Sequence, residues 1–349
     1  MLALVLTEFG KPLEVREVET PVPGPDEVLI QVMACGTDGT DLKLLDGFGY
    51  TPELPFIIGH EPAGIIAQVG DRVSDLKPGD RVITYNFFSC GKCLLCRTNR
   101  EQLCVQMQGV LGARVRPGAY AEYLKMPARQ VVKVPDNITW PDATVICDAG
   151  ITARHAVDRS RLQMGETLVV VGIGGVGSYV TQFAKLAGGS VIAVDHTDSK
   201  IQHAKQMGAE HVINSAKEDV SKTVFQITEG LGADCVIDCV GKEVTISQGV
   251  ESLRHGGRLV IVGYTPERYG LNGKQLAQNE LEIIGSRCGR LQDLIDTVQL
   301  VSAGKTKSIV TNLYDLEKAN EALAFLRTES VLGRVVLLTP AGRRAMEKN

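Results

Sequence analysis

Four cysteines in the first third of the chain have the spacing of a metal site. They are Cys90, Cys93, Cys96 and Cys104, in the pattern Cys-x2-Cys-x2-Cys-x7-Cys. Four thiolates at this spacing can close around one tetrahedral zinc ion and leave no position for a substrate, which is typical of a structural site. Because the cysteines interrupt a polar, basic loop, we do not interpret them as buried small apolar residues. An iron–sulfur cluster is the alternative, and we favour zinc.

A glycine-rich motif follows a short apolar stretch near the middle of the chain. Thr167–Val171 has the β-branched composition of a strand buried in a parallel sheet, and the next residues, Gly172–Gly177, fit the pattern G-x-G-x-x-G. A helical pattern of apolar residues comes next, and then a second apolar stretch, Ser190–Val194, which ends at Asp195. This order of strand, glycines, helix, strand and acid predicts a dinucleotide-binding unit.

Each part of this unit has a physical role if a dinucleotide binds. Gly172 permits the tight turn, Gly174 lets the backbone approach a pyrophosphate, and Gly177 allows close packing of helix on strand. Free N–H groups at the start of the helix favour phosphate. Asp195 would accept hydrogen bonds from the adenine ribose and repel a 2′-phosphate, so we predict NAD rather than NADP. The predicted cofactor contacts of the motif are Gly172, Gly174, Gly175, Val176 and Gly177.

Other possible metal ligands are dispersed along the chain. They are Cys35, His60, Glu61 and the adjacent pair Cys147 and Asp148. A catalytic zinc takes three protein ligands and keeps one position open for water or substrate. The set alone indicates little, because a buried cysteine and a histidine bonded to a backbone carbonyl would produce the same pattern. Residues 35–41, Cys-Gly-Thr-Asp-Gly-Thr-Asp, directly follow a predicted strand, so we expect their polar groups to line a cleft.

Two patterns of secondary structure must position these residues. The chain up to about Asp148 is rich in strand-like segments and turns, whereas strands and helices alternate beyond it, as in a doubly wound parallel sheet. The strands predicted in the first part are Leu2–Leu6, Leu13–Val18, Val28–Val32, Ile65–Val69, one within Val73–Val82, Gly118–Met126 and Val131–Val134. Those of the second part are 167–171, 190–194, 211–213, 234–239, 258–262 and 283–285, with helices at 175–187, 198–207, 217–229 and 243–254. A helix from Leu291, a helix at 316–327 and a strand at Arg334–Leu338 form a tail, which we expect to return to the first domain.

Length and composition limit the function classes. The chain has 349 residues, of which 44% are hydrophobic and 22% charged, and a net charge of −4. This balance is ordinary for a globular protein and does not favour binding to nucleic acid or to an anionic membrane. We find no signal-peptide pattern and no apolar run of membrane-spanning length, so we expect a cytoplasmic protein. Clustered cysteines in such a protein indicate metal rather than disulfides.

Several motifs together resemble the zinc-dependent medium-chain alcohol dehydrogenase family. They are Gly59-His-Glu-Pro-Ala-Gly64, Asp75-Leu-Lys-Pro-Gly-Asp-Arg-Val82, the four-cysteine loop and the glycine motif that ends at Asp195. They occur in the family's order and span nearly the whole chain. The resemblance implies a GroES-like β-rich catalytic domain over residues 1–149, a Rossmann NAD-binding domain over 150–286 and a return to the catalytic domain over 287–349. It also implies NAD, one catalytic and one structural zinc per subunit, and a homodimer or homotetramer.

The resemblance also implies roles for single residues of the first domain. Cys35 and His60 match two ligands of the catalytic zinc, and Glu61 matches the acid beside it. Thr37 matches the hydroxyl group that passes on the substrate proton.

Two further matches concern the cofactor. Lys200 lies within reach of the same ribose as Asp195. Arg334 resembles an arginine that approaches the pyrophosphate.

The chain departs from the family pattern at two positions. Asp148-Ala-Gly-Ile-Thr152 aligns where the family often has Cys-Ala-Gly-x-Thr, and the cysteine is displaced to Cys147. We predict that Asp148 completes the zinc ligands while Cys147 faces the core, because adjacent side chains of an extended segment point in opposite directions. Cys147 and Glu61 are the alternatives for the third ligand. Thr40 stands where a histidine often relays the proton to solvent.

The sequence therefore predicts an NAD-dependent zinc alcohol dehydrogenase, which transfers a hydride between an alcohol and NAD and reduces a ketone or aldehyde in reverse. Zinc would act as the Lewis acid, and Thr37 would take the hydroxyl proton. A reductase of activated C=C bonds on the same fold is one alternative, against which Cys35 and His60 argue. A non-catalytic NAD-binding protein is another. The alcohol itself stays open among sugars, polyols and aliphatic, cyclic or acyl-CoA-linked alcohols.

Overall fold

The structure is a computed structural model that describes residues 1–328 and 331–347. Its strands are β1 (Leu2–Leu6), β2 (Glu14–Glu17), β3 (Glu27–Thr37), β4 (Phe56–Ile57), β5 (Glu61–Val69), β6 (Arg81–Thr84), β7 (Val110–Leu111), β8 (Val115–Arg116), β9 (Tyr123–Pro127), β10 (Val131–Lys133), β11 (Thr167–Val171), β12 (Ser190–Asp195), β13 (His211–Asn214), β14 (Ala233–Asp238), β15 (Leu253–Ile261), β16 (Glu282–Gly285), β17 (Val310–Asp315) and β18 (Arg334–Leu338). Its α-helices are α1 (Gly39–Leu45), α2 (Leu94–Arg97), α3 (Trp140–Val145), α4 (Ile151–Ser160), α5 (Gly175–Leu186), α6 (Asp198–Gln206), α7 (Val220–Ile227), α8 (Glu243–Glu251), α9 (Gly273–Gln278), α10 (Leu291–Ser302), α11 (Ala319–Leu326) and α12 (Pro340–Met346).

These elements belong to two compact units. The first unit contains Met1–Asp148, Arg290–Gly304 and the described residues from Ser308 onward. The second unit contains Ala149–Gly289 and Lys305–Lys307. No helix among the described residues is long and apolar enough to cross a membrane.

The long strand β3 is central to the first unit. Its main sheet has the order β10-β6-β5-β3-β18-β17, and β9 also pairs with β3. The pairings of β3 with β5, β9 and β18 are all antiparallel, and they place Gly36 opposite Glu61 on one side and Val336 on the other. Since β18 comes from the end of the chain, this sheet joins residues about three hundred positions apart.

The sequence predicted β3 too short. The predicted strand Val28–Val32 continues to Thr37, so Cys35 lies within the strand rather than in the segment after it. The extension pairs with β5 on one side and β18 on the other, and the local sequence does not reveal these pairings. The polar segment that follows leads directly into helix α1, which Asp38 caps through a reciprocal capping box with Asp41.

The second unit is a six-stranded parallel sheet with the order β13-β12-β11-β14-β15-β16. In the order of the chain this is 3-2-1-4-5-6, the arrangement of the dinucleotide-binding doubly wound fold. Residues Leu168–Val171 of β11 are at most 4% exposed, as expected for a central strand covered on both faces. The predicted alternation of strands and helices is confirmed.

Some predicted boundaries were wrong. Helix α7 begins only at Val220, where Asp219 accepts a hydrogen bond from the backbone N–H of Lys222 and so caps it. Helix α8 ends at Glu251, and β15 begins at Leu253, five residues before the predicted strand. The helix predicted at 316–327 begins as a 3₁₀ turn, Leu316–Lys318, before α11. By contrast, the strand predicted to follow a turn within Val73–Val82 is confirmed, since it begins at Arg81, directly after the turn that contains Gly79 at φ = 92°.

Candidate active site and metal centres

The four cysteines of the polar loop come together in the first unit. Their sulfur atoms all lie within 4.8 Å of one another, and no disulfide joins them. The Sγ of Cys93 is 3.4 Å from that of Cys96 and 3.9 Å from that of Cys104. Four sulfurs at about 2.3 Å from one tetrahedral zinc would be about 3.8 Å apart, so the arrangement fits this ion. Backbone N–H groups of Lys92 and Cys93 lower the pKa of the Cys90 thiol to about 6, which favours the thiolate that a metal requires.

The dispersed set of possible ligands comes together in part. Asp38, His60, Glu61 and Asp148 each offer a ligand atom within 4.8 Å of the others. We call these four residues the acid–histidine group. His60, Glu61 and Asp148 are predicted ligands, whereas the sequence analysis did not single out Asp38.

The thiol of Cys35 does not belong to the acid–histidine group. Strand register explains this, because Glu61 pairs with Gly36, and successive side chains of a strand leave opposite faces. A Cβ at Gly36 would collide with the Glu61 carboxylate, so Glu61 lies directly over this glycine. Burial raises the pKa of the Cys35 thiol and keeps it protonated.

Arg334 is the counter-ion of the acid–histidine group. Its Nε donates to Glu61 at 3.0 Å, its terminal nitrogen donates to Asp148 at 3.0 Å, and the same nitrogen is 3.7 Å from Asp38. Three carboxylates therefore share one guanidinium in a buried environment. Burial raises the pKa of Glu61 to about 8 even though Arg334 opposes the shift. This excess of carboxylate oxygen, together with an imidazole, fits a divalent cation such as zinc.

His60 lies between two carboxylates. Its Nε2 is 3.6 Å from Oδ1 of Asp38, and its Nδ1 is 3.4 Å from Oδ1 of Asp41. Burial by itself would lower the pKa of His60, but Asp38 and Asp41 outweigh it, so the pKa is raised. The histidine is positioned by Gly59, whose φ of 96° favours glycine, and by Glu61, which begins β5.

The pair Cys147 and Asp148 lies in a π-helical turn, Ile146–Gly150, and not in an extended segment. The reason given for their opposite orientation was therefore wrong. They nevertheless have different surroundings, because successive side chains of a helix also differ in direction. The Cys147 thiol is buried and donates to the carbonyl of Pro62 at 3.3 Å, while the Asp148 carboxylate accepts from Arg334.

The two threonines of the segment after Cys35 are hydrogen-bonded. Thr37 is buried, and its hydroxyl donates to the carbonyl of Val335 at 3.1 Å. Thr40, at the position of the relay histidine, donates its hydroxyl to Asp38 at 3.2 Å.

The glycine motif of the second unit has the geometry of a phosphate-binding turn. Gly172 has φ = 89°, and a Cβ at Gly177 would collide with the carbonyl oxygen of Gly172. A Cβ at Gly174 would meet no atom within 4 Å, so space lies open where the helix α5 begins at Gly175 and Val176. This open cradle fits a pyrophosphate.

Asp195 ends β12 and connects it to the glycine motif. Its Oδ2 accepts from the backbone N–H of Ile173 at 2.8 Å, and its Oδ1 accepts from that of His196 at 2.8 Å. Lys200 lies five residues further on, in α6. The carboxylate is therefore fixed beside the turn, as the ribose contact requires.

Comparisons with known proteins agree with this arrangement. Residues 24–136 match the family model described as the alcohol dehydrogenase GroES-like domain, and residues 175–303 match that described as zinc-binding dehydrogenase. An alcohol dehydrogenase of Geobacillus stearothermophilus is 38% identical over 97% of this chain and 99% of its own. The chain belongs to the zinc-type medium-chain alcohol dehydrogenase family.

Two further alcohol dehydrogenases are similar to the chain. The NAD-dependent alcohol dehydrogenase of Sulfurisphaera tokodaii is 35% identical over 97% of this chain and 100% of its own. The crystal structure of the alcohol dehydrogenase of Aeropyrum pernix superposes with a TM-score of 0.91 at 33% identity, covering 97% of this chain and 100% of that one. The predicted fold class, a GroES-like domain with a Rossmann domain, is confirmed.

Sequence reasoning missed two residues around His60 and the ion pairs of Arg334. Asp38 and Asp41 lie in the polar segment that the sequence marked as a cleft, and the spacing of a capping box was the available signal. Arg334 contacts carboxylates of the first unit, and its predicted approach to a pyrophosphate stays a prediction.

The assignment of a zinc ion to the cysteine loop can be tested by measuring metal content. Replacing Cys93 with serine should lower zinc by about one atom per chain and the melting temperature by about 5 °C or more, because the loop loses its cross-link. Zinc analysis and thermal unfolding would measure both. Cys239→Ser, outside the cluster, is the control and should keep the zinc. Unchanged zinc in Cys93→Ser would contradict the assignment.

Substitution of two glycines of the motif by alanine gives a matched pair of variants. Gly177→Ala should destabilise the protein by about 1–3 kcal/mol, since its Cβ collides with the Gly172 carbonyl. Gly174→Ala should leave stability unchanged but weaken NAD binding at least about tenfold, because its methyl group enters open space needed by the pyrophosphate. Thermal unfolding and NAD titration separate the two effects. Wild-type NAD affinity in Gly174→Ala would refute a pyrophosphate at this turn.

Proposed function

We propose that this chain oxidises a small alcohol with NAD and a catalytic zinc held by the acid–histidine group, and reduces the ketone or aldehyde in reverse. An NAD-dependent alcohol oxidoreductase is what its family relationship establishes. The observation that carries the catalytic site is the group of three carboxylates that share a single arginine and lie beside one histidine.

His60, Glu61 and Asp148 would hold the catalytic zinc, with Asp38 as the further carboxylate of the group. Bound there, zinc would supply Lewis acidity that stabilises negative charge on the alcohol oxygen. Cys35 remains a candidate ligand on the strength of the family resemblance alone. Arg334 holds two of these carboxylates together, because two of its nitrogens donate to Glu61 and Asp148.

Thr37 is suited to accept a hydrogen bond from the alcohol, and it could pass the alcohol's proton on only by releasing its own hydroxyl proton to a further acceptor. Its own hydroxyl proton is directed to the carbonyl of Val335, so the lone pairs of its oxygen stay available as acceptors. Thr40 cannot transfer a proton as an imidazole does, so this chain would have to pass the proton to solvent without a histidine at that position.

The second unit would bind NAD, which accepts the hydride. The turn of Gly172, Gly174, Gly175, Val176 and Gly177 would contact the pyrophosphate. Asp195 and Lys200 would contact the adenine ribose, and Arg334 is proposed to approach the pyrophosphate.

We also propose the properties that the family resemblance supports beyond the site. These are the domain boundaries after residues 149 and 286, a second zinc on the cysteine loop, a homodimer or homotetramer, and a cytoplasmic location. The partner is a small alcohol or carbonyl compound.

A panel of alcohols tests the reaction. Sugars, polyols and aliphatic and cyclic alcohols should be screened for production of NADH, with an activated alkene and NADH as the opposing assay. Oxidation of at least one alcohol class, lost on treatment with a zinc chelator, is the expected result. Alkene reduction without any alcohol oxidation would replace this function by that of a C=C reductase.

Cofactor preference follows from Asp195. NAD should support a larger kcat/KM than NADP, because the carboxylate repels a 2′-phosphate. Asp195→Gly should narrow this gap while lowering the rate with both cofactors, since the N–H of Ile173 loses its acceptor. Asp195→Asn keeps an acceptor and is the matched control for the loop. Equal or faster turnover of the wild type with NADP would contradict the prediction.

The metal role of Asp148 is tested against its neighbour. Asp148→Ala should remove or weaken one zinc and lower kcat by about 100-fold or more, because a carboxylate leaves the acid–histidine group. Cys147→Ala should keep both zinc and activity, since its thiol contacts the Pro62 carbonyl instead. Zinc analysis with steady-state kinetics measures the pair, and the reverse pattern would show that the cysteine binds the metal.

A further inference from the structure

A second buried carboxylate, Asp41, lies behind His60. Asp41 is fully buried and occupies the third position of helix α1. Its Oδ2 accepts two hydrogen bonds at 3.0 Å, one from the backbone N–H of Asp38 and one from the hydroxyl of Tyr120. One oxygen of the carboxylate is thus held by two donors, one from the same helix cap and one from a distant part of the chain.

The other oxygen of Asp41 faces the imidazole. Oδ1 of Asp41 is 3.4 Å from Nδ1 of His60, and both are buried atoms without a hydrogen-bond partner among the described residues. A buried donor or acceptor without a partner costs about 1–3 kcal/mol. Since the two atoms are complementary and adjacent, a small movement of the ring would satisfy both.

Asp41 is not a member of the acid–histidine group. Asp38, by contrast, faces the opposite nitrogen, Nε2, at 3.6 Å, and its carboxylate accepts from Thr40 and approaches Arg334. The two nitrogens of His60 therefore face carboxylates with different surroundings. Nε2 points to the side of the candidate metal ligands, and Nδ1 points to a carboxylate that is fixed behind the ring.

We propose that Asp41, held by Tyr120, is a positioning residue that keeps the proton of His60 on Nδ1 and so directs the Nε2 lone pair to the catalytic metal. This inference rests on the proposed metal site. A carboxylate behind a metal-binding histidine fixes its tautomer and ring orientation, and its loss typically costs about 10–100-fold in metal affinity. Asp41 acts through His60 and touches neither substrate nor cofactor.

Tyr120 makes the arrangement rigid. It is fully buried, and a Cβ at Gly59 would collide with its ring, so the ring packs directly against the residue before His60. Its backbone N–H also donates to the carbonyl of Ile58 at 3.0 Å. The same tyrosine therefore holds both the carboxylate and the chain segment that carries the histidine.

Zinc affinity tests the proposal. Chelator competition on the full chain should resolve two zinc ions, of which the one held by the cysteine loop serves as the internal reference. Asp41→Asn should raise the dissociation constant of the other zinc by about 10–100-fold, and Tyr120→Phe should raise it in the same direction by a smaller factor. The zinc of the cysteine loop should be unaffected in both variants.

Asp293→Asn is the matched control. Asp293 is also fully buried and also closes a capping box, in which it accepts from the backbone N–H of Arg290 at 2.8 Å at the start of α10. If Asp41 served only as a helix cap, the two variants would change thermal stability alike and neither would change zinc affinity.

Substitution with ¹¹³Cd gives a readout that does not depend on any variant folding. In the wild-type protein with ¹⁵N-labelled histidine, the cadmium coupling should reach Nε2 of His60, and Nδ1 should retain its proton. Coupling to Nδ1, or wild-type zinc affinity in a folded Asp41→Asn protein, would overturn the inference while leaving the proposed function intact. A wild-type chain that takes up only the metal of the cysteine loop would overturn both.

Discussion

The ion pairs of Arg334 connect the parts of the first unit on which the candidate site depends. The guanidinium bridges Glu61, at the start of β5, and Asp148, in the π-helical turn, while Arg334 itself begins β18 near the end of the chain. A buried carboxylate without a partner is strongly unfavourable, so these acids can be buried together only when the tail completes the sheet. The charge balance of the site thus depends on a pairing between strands that are far apart in sequence.

Glycine residues provide the space that the polar sites of both units need. Gly36 leaves room for the Glu61 carboxylate, because any larger residue at this paired position of β3 would collide with it. Gly177 allows helix α5 to approach the carbonyl of Gly172, while Gly174 leaves open space in front of the helix. In both units the polar site is therefore formed where a side chain is absent, and the acids Glu61 and Asp195 lie against that backbone.

Much of the second unit could be predicted because the sequence features that specify it lie close together in the chain. The apolar composition of β11, the spacing of the glycines and the acid at Asp195 lie within about thirty residues, and the structure places them in one βαβ unit. The cysteine loop is similarly local, since its four ligands lie within 15 residues. The end of α8 and the start of β15 were predicted poorly, because a helix end depends on capping and packing as well as on periodicity.

The amino-acid sequence by itself determined the family, the fold class, the four-cysteine loop and the dinucleotide motif, because each is recognised from particular residue types at short, fixed spacings. Only the tertiary structure decided which of the dispersed ligands meet. The register of β5 on β3 puts Glu61 over Gly36 and separates it from the face of Cys35, and a helical cap places Asp38 and Asp41 on either side of His60. The return of β18 brings Arg334 to the acids. The contacts of Glu61 and Arg334 join residues up to about three hundred positions apart, and a strand register shifted by one residue would reverse every face, so no local pattern could specify them.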